Sequence, residues 1–133
     1  MIGLDTNIIV RYLAQDDAKQ SPIASRLIES LTPENPGFMP SVVLAEIVWV
    51  MEELYDASRD KVGAIVEGLL QTQTLVVQDT DLAWKALARY RRGNADFADY
   101  LIERTCAAVG CDKTCTFDKK AARRNDCRMT LMS

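Results

Sequence analysis

The chain has 133 residues, of which 48% are hydrophobic and 26% are charged, with a net charge of −3. These values are typical of a globular domain that buries its own core, so we expect a single domain over residues 1–133. No apolar run reaches the roughly 18–20 residues that span a bilayer, and the N-terminus lacks the regions of a signal peptide. We therefore expect a cytoplasmic protein with no membrane partner.

Short apolar runs alternate along the chain with segments of helical periodicity. The first half predicts, in order, a strand at 2–4, a helical segment at 8–13, a helix opening at Ser21-Pro22, a strand at 37–39, a helix from 42 to about 55 with Ser41 as its N-cap, and a helix at 59–71. The second half predicts a strand at 75–77, a helix from 80 to about 90, a turn at 91–94, a helix from about 95 to 109, a strand at 114–117, a short helix at 119–124 and a strand at 129–131. This alternation predicts a parallel sheet between helix layers, a three-layer α/β/α sandwich.

The residue types present exclude several mechanisms. The chain has no histidine, so Ser-His-Asp catalysis, Cys-His catalysis and histidine-ligated zinc are excluded. The spacing of its four cysteines matches no common zinc site, and we expect reduced thiols that pack as small hydrophobic groups. These cysteines are Cys106, Cys111, Cys115 and Cys127. Any chemistry must therefore rest on carboxylates, hydroxyls, amines and metals that prefer oxygen ligands.

Two aspartates follow predicted strands directly. In open parallel sheets, functional sites form beyond the carboxyl ends of the strands. Asp5 follows the first strand and Asp118 follows the fourth. Each is also a favoured N-cap for the helix that comes next, and for either residue alone capping is an equally good explanation.

Glu46 is harder to explain as a structural residue. Its neighbours one helical turn away are Val42, Val43, Trp49 and Val50. A glutamate on an apolar face is rarely buried unless it is paired or coordinates a metal, so we favour a functional role.

Asp96 and Asp99 lie one turn apart near the start of a predicted helix and share a face of it. Acids in a first helical turn also complement the helix dipole, which is a strong structural explanation for both. The local pattern alone does not single out Asp99.

Three segments together resemble the PIN-domain nucleases, and in particular the VapC-type toxins of type II toxin–antitoxin pairs. The segments are MIGLDTNIIVRYL, PSVVLAEIVWV and NADFADYLIERTCAAVGCDKTCTFDKKAAR. The resemblance implies a five-stranded parallel sheet flanked by helices, an RNA substrate and a cognate antitoxin. It also implies four metal-binding acids, which are Asp5, Glu46, Asp99 and Asp118.

Four carboxylates gathered at one place would repel each other without a cation, so the set implies Mg²⁺ or Mn²⁺. The reaction expected is hydrolysis of an RNA phosphodiester with one or two metals. Asp5 and Asp99 would be the most direct ligands, while Glu46 and Asp118 would hold waters or a second ion. Asp96 could assist through a metal-bound water. Asn7 and Thr116 are candidates to hydrogen-bond the carboxylates or the water, although turn and strand chemistry explains them equally well.

Basic residues that could grip RNA are concentrated in the second part of the chain. Residues 1–84 hold 5 Lys/Arg and 13 Asp/Glu, a charge of −8, whereas residues 85–133 hold 11 and 6, a charge of +5. Solvated helix faces explain any single one of these basic residues. The candidates flank the third and fourth acids; they are Arg91, Arg92, Lys119, Lys120, Arg123 and Arg124. Tyr90, Phe97 and Tyr100 could stack bases, although core packing explains Phe97 better.

The apolar helices at 42–51 and 62–70 favour partner surfaces. We expect a homodimer that also binds its antitoxin as an extended or helical segment in an apolar groove.

Two other functions stay open. An aspartate-nucleophile phosphatase would use Asp5, but such enzymes usually have Asp-x-Asp after the first strand and this chain has Asp5-Thr6-Asn7. A binding module that holds RNA or a protein without cutting it is the non-enzymatic alternative. An intact set of four acids argues against it, because acids do not help to bind anionic RNA.

Overall fold

A computed structural model describes residues 1–122 and 127–132. Short strands alternate with helices, as the sequence predicts. The elements are β1 (Ile2–Gly3), α1 (Thr6–Ala14), α2 (Gln20–Ser30), β2 (Gly37–Met39), α3 (Ser41–Glu53), α4 (Arg59–Gln71), β3 (Leu75–Val77), α5 (Thr80–Arg92), α6 (Phe97–Ala108), β4 (Thr114–Thr116), α7 (Lys119–Ala122) and β5 (Met129–Leu131). Within the described ranges, no helix is long and apolar enough to cross a membrane.

The strands pair in parallel, as predicted, but in two sheets. One sheet has the order β1-β2-β3, with Gly3 opposite Phe38 and Phe38 opposite Val76. The other pairs β4 with β5, with Cys115 opposite Thr130. The expectation of one five-stranded sheet is therefore wrong for the described residues. Strands of two or three residues can be located from apolar runs, but their partners are set by backbone hydrogen bonds between distant segments. The three-layer arrangement stays a prediction.

The chain divides into two compact units, Met1–Thr80 and Asp81–Ser133. The first unit contains the three-stranded sheet, and its helix α3 packs against both α1 and α4. Its core includes Ile9, Met39, Leu44, Ile47 and Val66, all almost fully buried. Whether the 133 residues act as one domain stays a prediction.

The core of the second unit is aromatic. Tyr90, Phe97 and Tyr100 are its largest fully buried side chains. The rings of Tyr90 and Phe97 meet edge to face, with centroids 5.8 Å apart, and the Tyr100 hydroxyl accepts a hydrogen bond from the Ala95 N–H at 3.2 Å. The expectation that Tyr90 and Tyr100 could stack on bases is therefore wrong, because these rings stabilise the core instead.

Several predicted boundaries shift. The first strand ends at Gly3 and the fourth ends at Thr116, one residue earlier than predicted in each case. Helix α5 continues to Arg92, so Arg91 and Arg92 are helical rather than part of a turn. Arginine is a good helix former, and α5 contains no glycine or proline before Gly93 follows it.

The N-cap of α3 is Pro40, not Ser41. Ser41 is the first helical residue, and its N–H donates to the Gln78 side-chain oxygen at 3.0 Å. Its hydroxyl donates to the Gln78 carbonyl at 3.3 Å. The serine that was expected to cap the helix therefore ties its start to the residue after β3.

All four cysteines are free thiols. Cys127 is buried and Cys106 is half-buried, as expected for thiols that pack as small hydrophobic groups. Cys111 and Cys115 are exposed, so that expectation is wrong for these two.

A buried ion pair joins α5 and α6 in the second unit. Glu103 is only 5% exposed, and both of its carboxylate oxygens accept hydrogen bonds from Arg104, at 2.6 and 2.8 Å. An Arg89 nitrogen lies 3.7 Å from Glu103 Oε2. The hydrogen bonds from Arg104 lower the pKa of Glu103, and the charges of Arg104 and Arg89 lower it further against the opposing effect of burial. The pair therefore stabilises the packing of the helix that carries Asp99.

We expect Glu103→Gln to lower the free energy of unfolding by roughly 1–2 kcal/mol at neutral pH, because the guanidinium groups of Arg104 and Arg89 lose the negative charge beside them. A carboxyl group whose folded pKa is lowered stabilises the fold above its unfolded pKa of about 4.3 and loses that effect as the pH falls. Urea unfolding at pH 7 and at pH 3.5 measures both values. A difference between wild type and variant that is the same at both pH values would contradict this role.

Candidate metal centre

Three carboxylates come together in the second unit. Asp96 is the N-cap of α6, Asp99 lies in the first turn of the same helix, and Asp118 directly precedes α7. Each offers one carboxylate oxygen, and the three oxygens lie within 4.8 Å of one another. Asp96 is exposed and Asp99 is half-buried. The structure thus brings together two of the predicted ligands and the acid that was expected to assist them.

Local hydrogen bonds hold these side chains in place. Asp99 Oδ2 accepts from the Asp96 N–H at 3.1 Å, and Asp118 Oδ1 accepts from the Lys120 N–H at 2.8 Å. The structural explanation by helix capping is therefore correct for Asp118, and Asp99 bonds back to the N-cap residue of its own helix as part of a capping box. It does not exclude a metal, because a carboxylate has two oxygens and about four lone-pair sites.

The electrostatics of the three acids favour a cation. Burial raises the pKa of Asp99 most, and the negative charges of Asp96 and Asp118 raise it further. The hydrogen bond from the Asp96 backbone and the charge of Lys120 act in the opposite direction but do not cancel the shift. An acid whose folded pKa is raised opposes folding as the pH rises past its unfolded pKa, so a bound cation would relieve this cost.

The donor set fits a hard divalent ion. Mg²⁺ binds oxygen at 2.0–2.1 Å, so two ligands on opposite sides of the ion lie about 4.2 Å apart. All three donors are carboxylate oxygens that lie within 4.8 Å of one another, and this is the ligand type that Mg²⁺ prefers. Mn²⁺ prefers the same carboxylate and water ligands. The cluster could therefore hold either ion.

In the first unit, Thr6 contacts both predicted acids. Its N–H donates to Asp5 Oδ1 at 2.8 Å, which makes Asp5 the N-cap of α1. Its buried hydroxyl donates to Glu46 Oε1 at 2.8 Å. Thr6 therefore fixes the Glu46 carboxylate relative to the start of α1, where Asp5 lies.

Sequence reasoning missed Thr6 and chose Asn7 and Thr116 instead. Asn7 is exposed, and within the described ranges no side-chain hydrogen bond joins it to Asp5. The Thr116 hydroxyl accepts from the Asp118 N–H at 3.0 Å, so it contacts the backbone of that residue rather than its carboxylate. The position of Thr6 beside Asp5 was visible in the sequence, but its bond to a residue 40 positions away was not.

The burial argument that favoured a functional role for Glu46 does not hold. Glu46 is exposed, and Val42 and Trp49 on the same face of α3 are 65% and 58% exposed. The helix is apolar on every side, and only the opposite face, with residues such as Leu44 and Ile47, packs into the core. The functional case for Glu46 therefore rests on its bond to Thr6 and not on burial.

Four of the predicted RNA-binding residues are described, and all four are exposed. Lys119 and Lys120 follow Asp118 in the first turn of α7, and Arg91 and Arg92 end α5. Arg123 and Arg124 lie outside the described residues. The exposed cations therefore include a pair directly next to one of the three clustered acids.

Comparison with known proteins places these features in one family. The family model described as PIN domain matches residues 2–126. The chain is also similar to a VapC ribonuclease of Aquifex aeolicus (strain VF5), with 22% identity over 117 residues that cover 88% of this chain and 87% of the relative. The range matched by the family model contains every acid discussed above, namely Asp5, Glu46, Asp96, Asp99 and Asp118.

Proposed function

Because the chain belongs to the PIN domain family, we propose that it is a ribonuclease that depends on Mg²⁺ or Mn²⁺ and acts as the toxin of a type II toxin–antitoxin pair. The observation that carries the proposal is the cluster of Asp96, Asp99 and Asp118, whose carboxylate oxygens lie within 4.8 Å of one another. The similar VapC ribonuclease supports RNA as the substrate.

We further propose that residues 1–133 act as one domain in which Asp5, Glu46, Asp99 and Asp118 serve a single site, assisted by Asp96. Two similarities between the units support this. Asp5 lies two residues after the end of β1 and Asp118 lies two residues after the end of β4, and each accepts a hydrogen bond from the start of the next helix. The carboxyl ends of parallel strands are where ligand sites form in α/β proteins.

The reaction is hydrolysis of a phosphodiester. When bound, the metal ion would polarise the phosphate and lower the pKa of a water molecule. Asp5, Asp99 and Asp118 would hold the ion, and Glu46, fixed by Thr6, would orient the attacking water and accept its proton. The water oxygen forms a bond to phosphorus as the bond from phosphorus to the leaving oxygen breaks, and the leaving oxygen takes up a proton. Lys119 and Lys120 would contact the phosphates that flank the cut.

The test is incubation of the purified protein with total cellular RNA in millimolar Mg²⁺ or Mn²⁺ and, separately, in chelator, followed by sequencing of the cleaved ends. We expect cuts at defined positions only when metal is present, and no hydrolysis of 4-nitrophenyl phosphate. Intact RNA that stays bound to the protein in the presence of metal would favour a binding module. Hydrolysis of the small ester without RNA cleavage would favour a phosphatase.

The antitoxin would occupy an apolar groove of about 340 Å³ in the first unit. The groove lies among α1, α2 and α4, and an amphipathic helix with apolar residues three and four positions apart would fit such a surface. Its lining residues include Ile9, Tyr12, Leu13, Ile28, Ile65 and Leu69. Helix α4 contains the apolar segment 62–70, one of the two that the sequence predicts for partner binding.

A homodimer would bury part of the other apolar segment, on α3, because burial of apolar surface between copies is favourable. Val42 and Trp49 are exposed there, but they lie one turn on either side of Glu46, so the contact between copies must leave the Glu46 carboxylate open to RNA. Light scattering at tens of micromolar protein measures the mass, and a clean monomer would contradict the dimer.

A further inference from the structure

Phe117 is the most exposed of the large hydrophobic side chains in the described ranges, at 81%. A single exposed apolar residue is ordinary on a protein surface. The position of this one is informative, because it stands between the end of β4 and Asp118, one of the three clustered acids. The three aromatic residues that the sequence offered for base stacking are buried, so they cannot fill that role.

The backbone on both sides of Phe117 is held in place. The Met132 N–H donates to the Thr116 carbonyl at 2.7 Å, which extends the β4–β5 pairing to the residue before Phe117. The Asp118 N–H donates to the Thr116 hydroxyl at 3.0 Å, and the Asp118 carboxylate accepts from Lys120. The ring therefore projects from a backbone fixed at the same residues that position the Asp118 carboxylate.

The surroundings of the ring match the chemistry of single-stranded nucleic acid. Proteins that bind single strands combine aromatic rings, on which bases stack, with cations that contact the backbone. Lys119 and Lys120 are exposed and follow Asp118, so ring, acid and cations occupy four consecutive positions. Bases inside a duplex are stacked on each other and offer no free face, so the ring can stack only on an unpaired base.

We propose that Phe117 stacks on the base of an unpaired nucleotide next to the phosphate that is cut. This inference rests on the proposed function and assigns it a residue that contacts the substrate. Phe117 is then a substrate-binding residue that helps to place the phosphodiester at the acids.

The test compares wild type with Phe117→Ala, Phe117→Trp and the control Val109→Ala, which shortens another highly exposed apolar residue of the second unit. The substrate is the RNA segment whose cut position is mapped in the assay on total RNA. It is supplied as a single strand, as a duplex with its complement, and as a single strand that lacks the base on one or the other side of the cut.

We expect Phe117→Ala to lower kcat/KM on the single strand about 5- to 150-fold, the effect of losing one stacked base. Phe117→Trp keeps an aromatic face and should recover most of the loss seen in Phe117→Ala, whereas Val109→Ala should cleave like wild type. Wild type should cleave the duplex poorly. Removal of one flanking base should slow wild type by a similar factor and have little further effect on Phe117→Ala. The Mn²⁺ affinity of Phe117→Ala should equal that of wild type, which separates substrate binding from damage to the site.

Three results would overturn the inference while leaving the proposed function intact. These are equal cleavage by Phe117→Ala and wild type, equal cleavage of single strand and duplex, and a base-removal effect that persists in full in Phe117→Ala. A lower molecular mass of Phe117→Ala by light scattering, with normal cleavage, would assign the ring to contact with a second copy. Absence of RNA cleavage by wild type at any metal concentration would refute the proposed function, and this inference with it.

Discussion

Asp99→Asn is expected to reduce metal-dependent RNA cleavage about a thousandfold, because loss of one charged ligand removes several kcal/mol of transition-state stabilisation. The amide keeps an oxygen that can accept the hydrogen bond from the Asp96 N–H, now 3.1 Å from Asp99 Oδ2. The start of α6 should therefore keep its conformation. Single-turnover cleavage of the mapped RNA measures the rate, and circular dichroism and thermal melting establish that the variant is folded.

The matched control for this variant is Asp112→Asn. Asp112 is an exposed aspartate of the same unit, and it is not among the three clustered acids. Its replacement changes the net charge by the same amount and should leave the rate within about twofold of wild type, as for a surface substitution away from the site. A folded Asp99→Asn protein that cleaves RNA at the rate of the control would remove Asp99 from the mechanism.

The second large effect is a change in the free energy of unfolding of Asp118→Asn, in the absence and in the presence of metal. Without metal, burial raises the pKa of Asp99 most, and the negative charges of Asp96 and Asp118 raise it further, so the clustered carboxylates repel one another. Asp118→Asn removes one charge but keeps an acceptor for the Lys120 N–H, so in chelator at pH 7.5 it should raise the free energy of unfolding by roughly 1 kcal/mol. Mn²⁺ at a hundred times its dissociation constant should stabilise the wild type by about 2.7 kcal/mol and the variant far less.

Thermal melting of wild type and Asp118→Asn, each in chelator and in Mn²⁺, gives the four melting temperatures that are compared. The order of stability should reverse, with the variant more stable in chelator and the wild type more stable in metal. Should the wild type melt at one temperature in both buffers while the variant melts lower in chelator, Asp118 acts only as a helix cap. Asp112→Asn again serves as the control, and it should show no reversal.

The sequence predicted the positions of the acids better than their surroundings. Asp5 and Asp118 could be selected because each follows a short apolar run, and both do lie just beyond a strand and at the start of a helix. The pairing of strands could not be predicted, because β1 has two residues and the other strands have three. Such short strands carry almost no side-chain pattern to specify a neighbour.

Burial was the least predictable property. Helix α3 is apolar on all sides, so its pattern could not show that Val42 and Trp49 stay exposed together with Glu46. The sequence also could not show that Tyr100 is buried while Phe117 is exposed. Both residues lie beside predicted ligands, and only the packing of the second unit separates a core ring from a surface ring.

The hydrogen bond between Thr6 and Glu46 could not be predicted from the sequence either. Threonine directly after Asp5 reads as an ordinary first residue of a helix, and α1 does begin there. Its hydroxyl bonds to Glu46 only because α1 packs against α3 within the first unit. Hydrogen bonds between residues far apart in the chain depend on the fold, and local sequence does not encode them.

The proposed function assigns both Asp5 and Asp99 to metal binding, and the affinity for Mn²⁺ tests this assignment most directly. Isothermal titration calorimetry of wild type, Asp5→Asn, Asp99→Asn and the double variant forms a complete cycle. We predict that each single change weakens Mn²⁺ binding at least about tenfold, the lower range for changes around metal ligands, and that the double change costs less than the product of the two. Wild-type affinity in Asp5→Asn, with the double variant equal to Asp99→Asn, would confine the metal to Asp96, Asp99 and Asp118 and contradict the shared site.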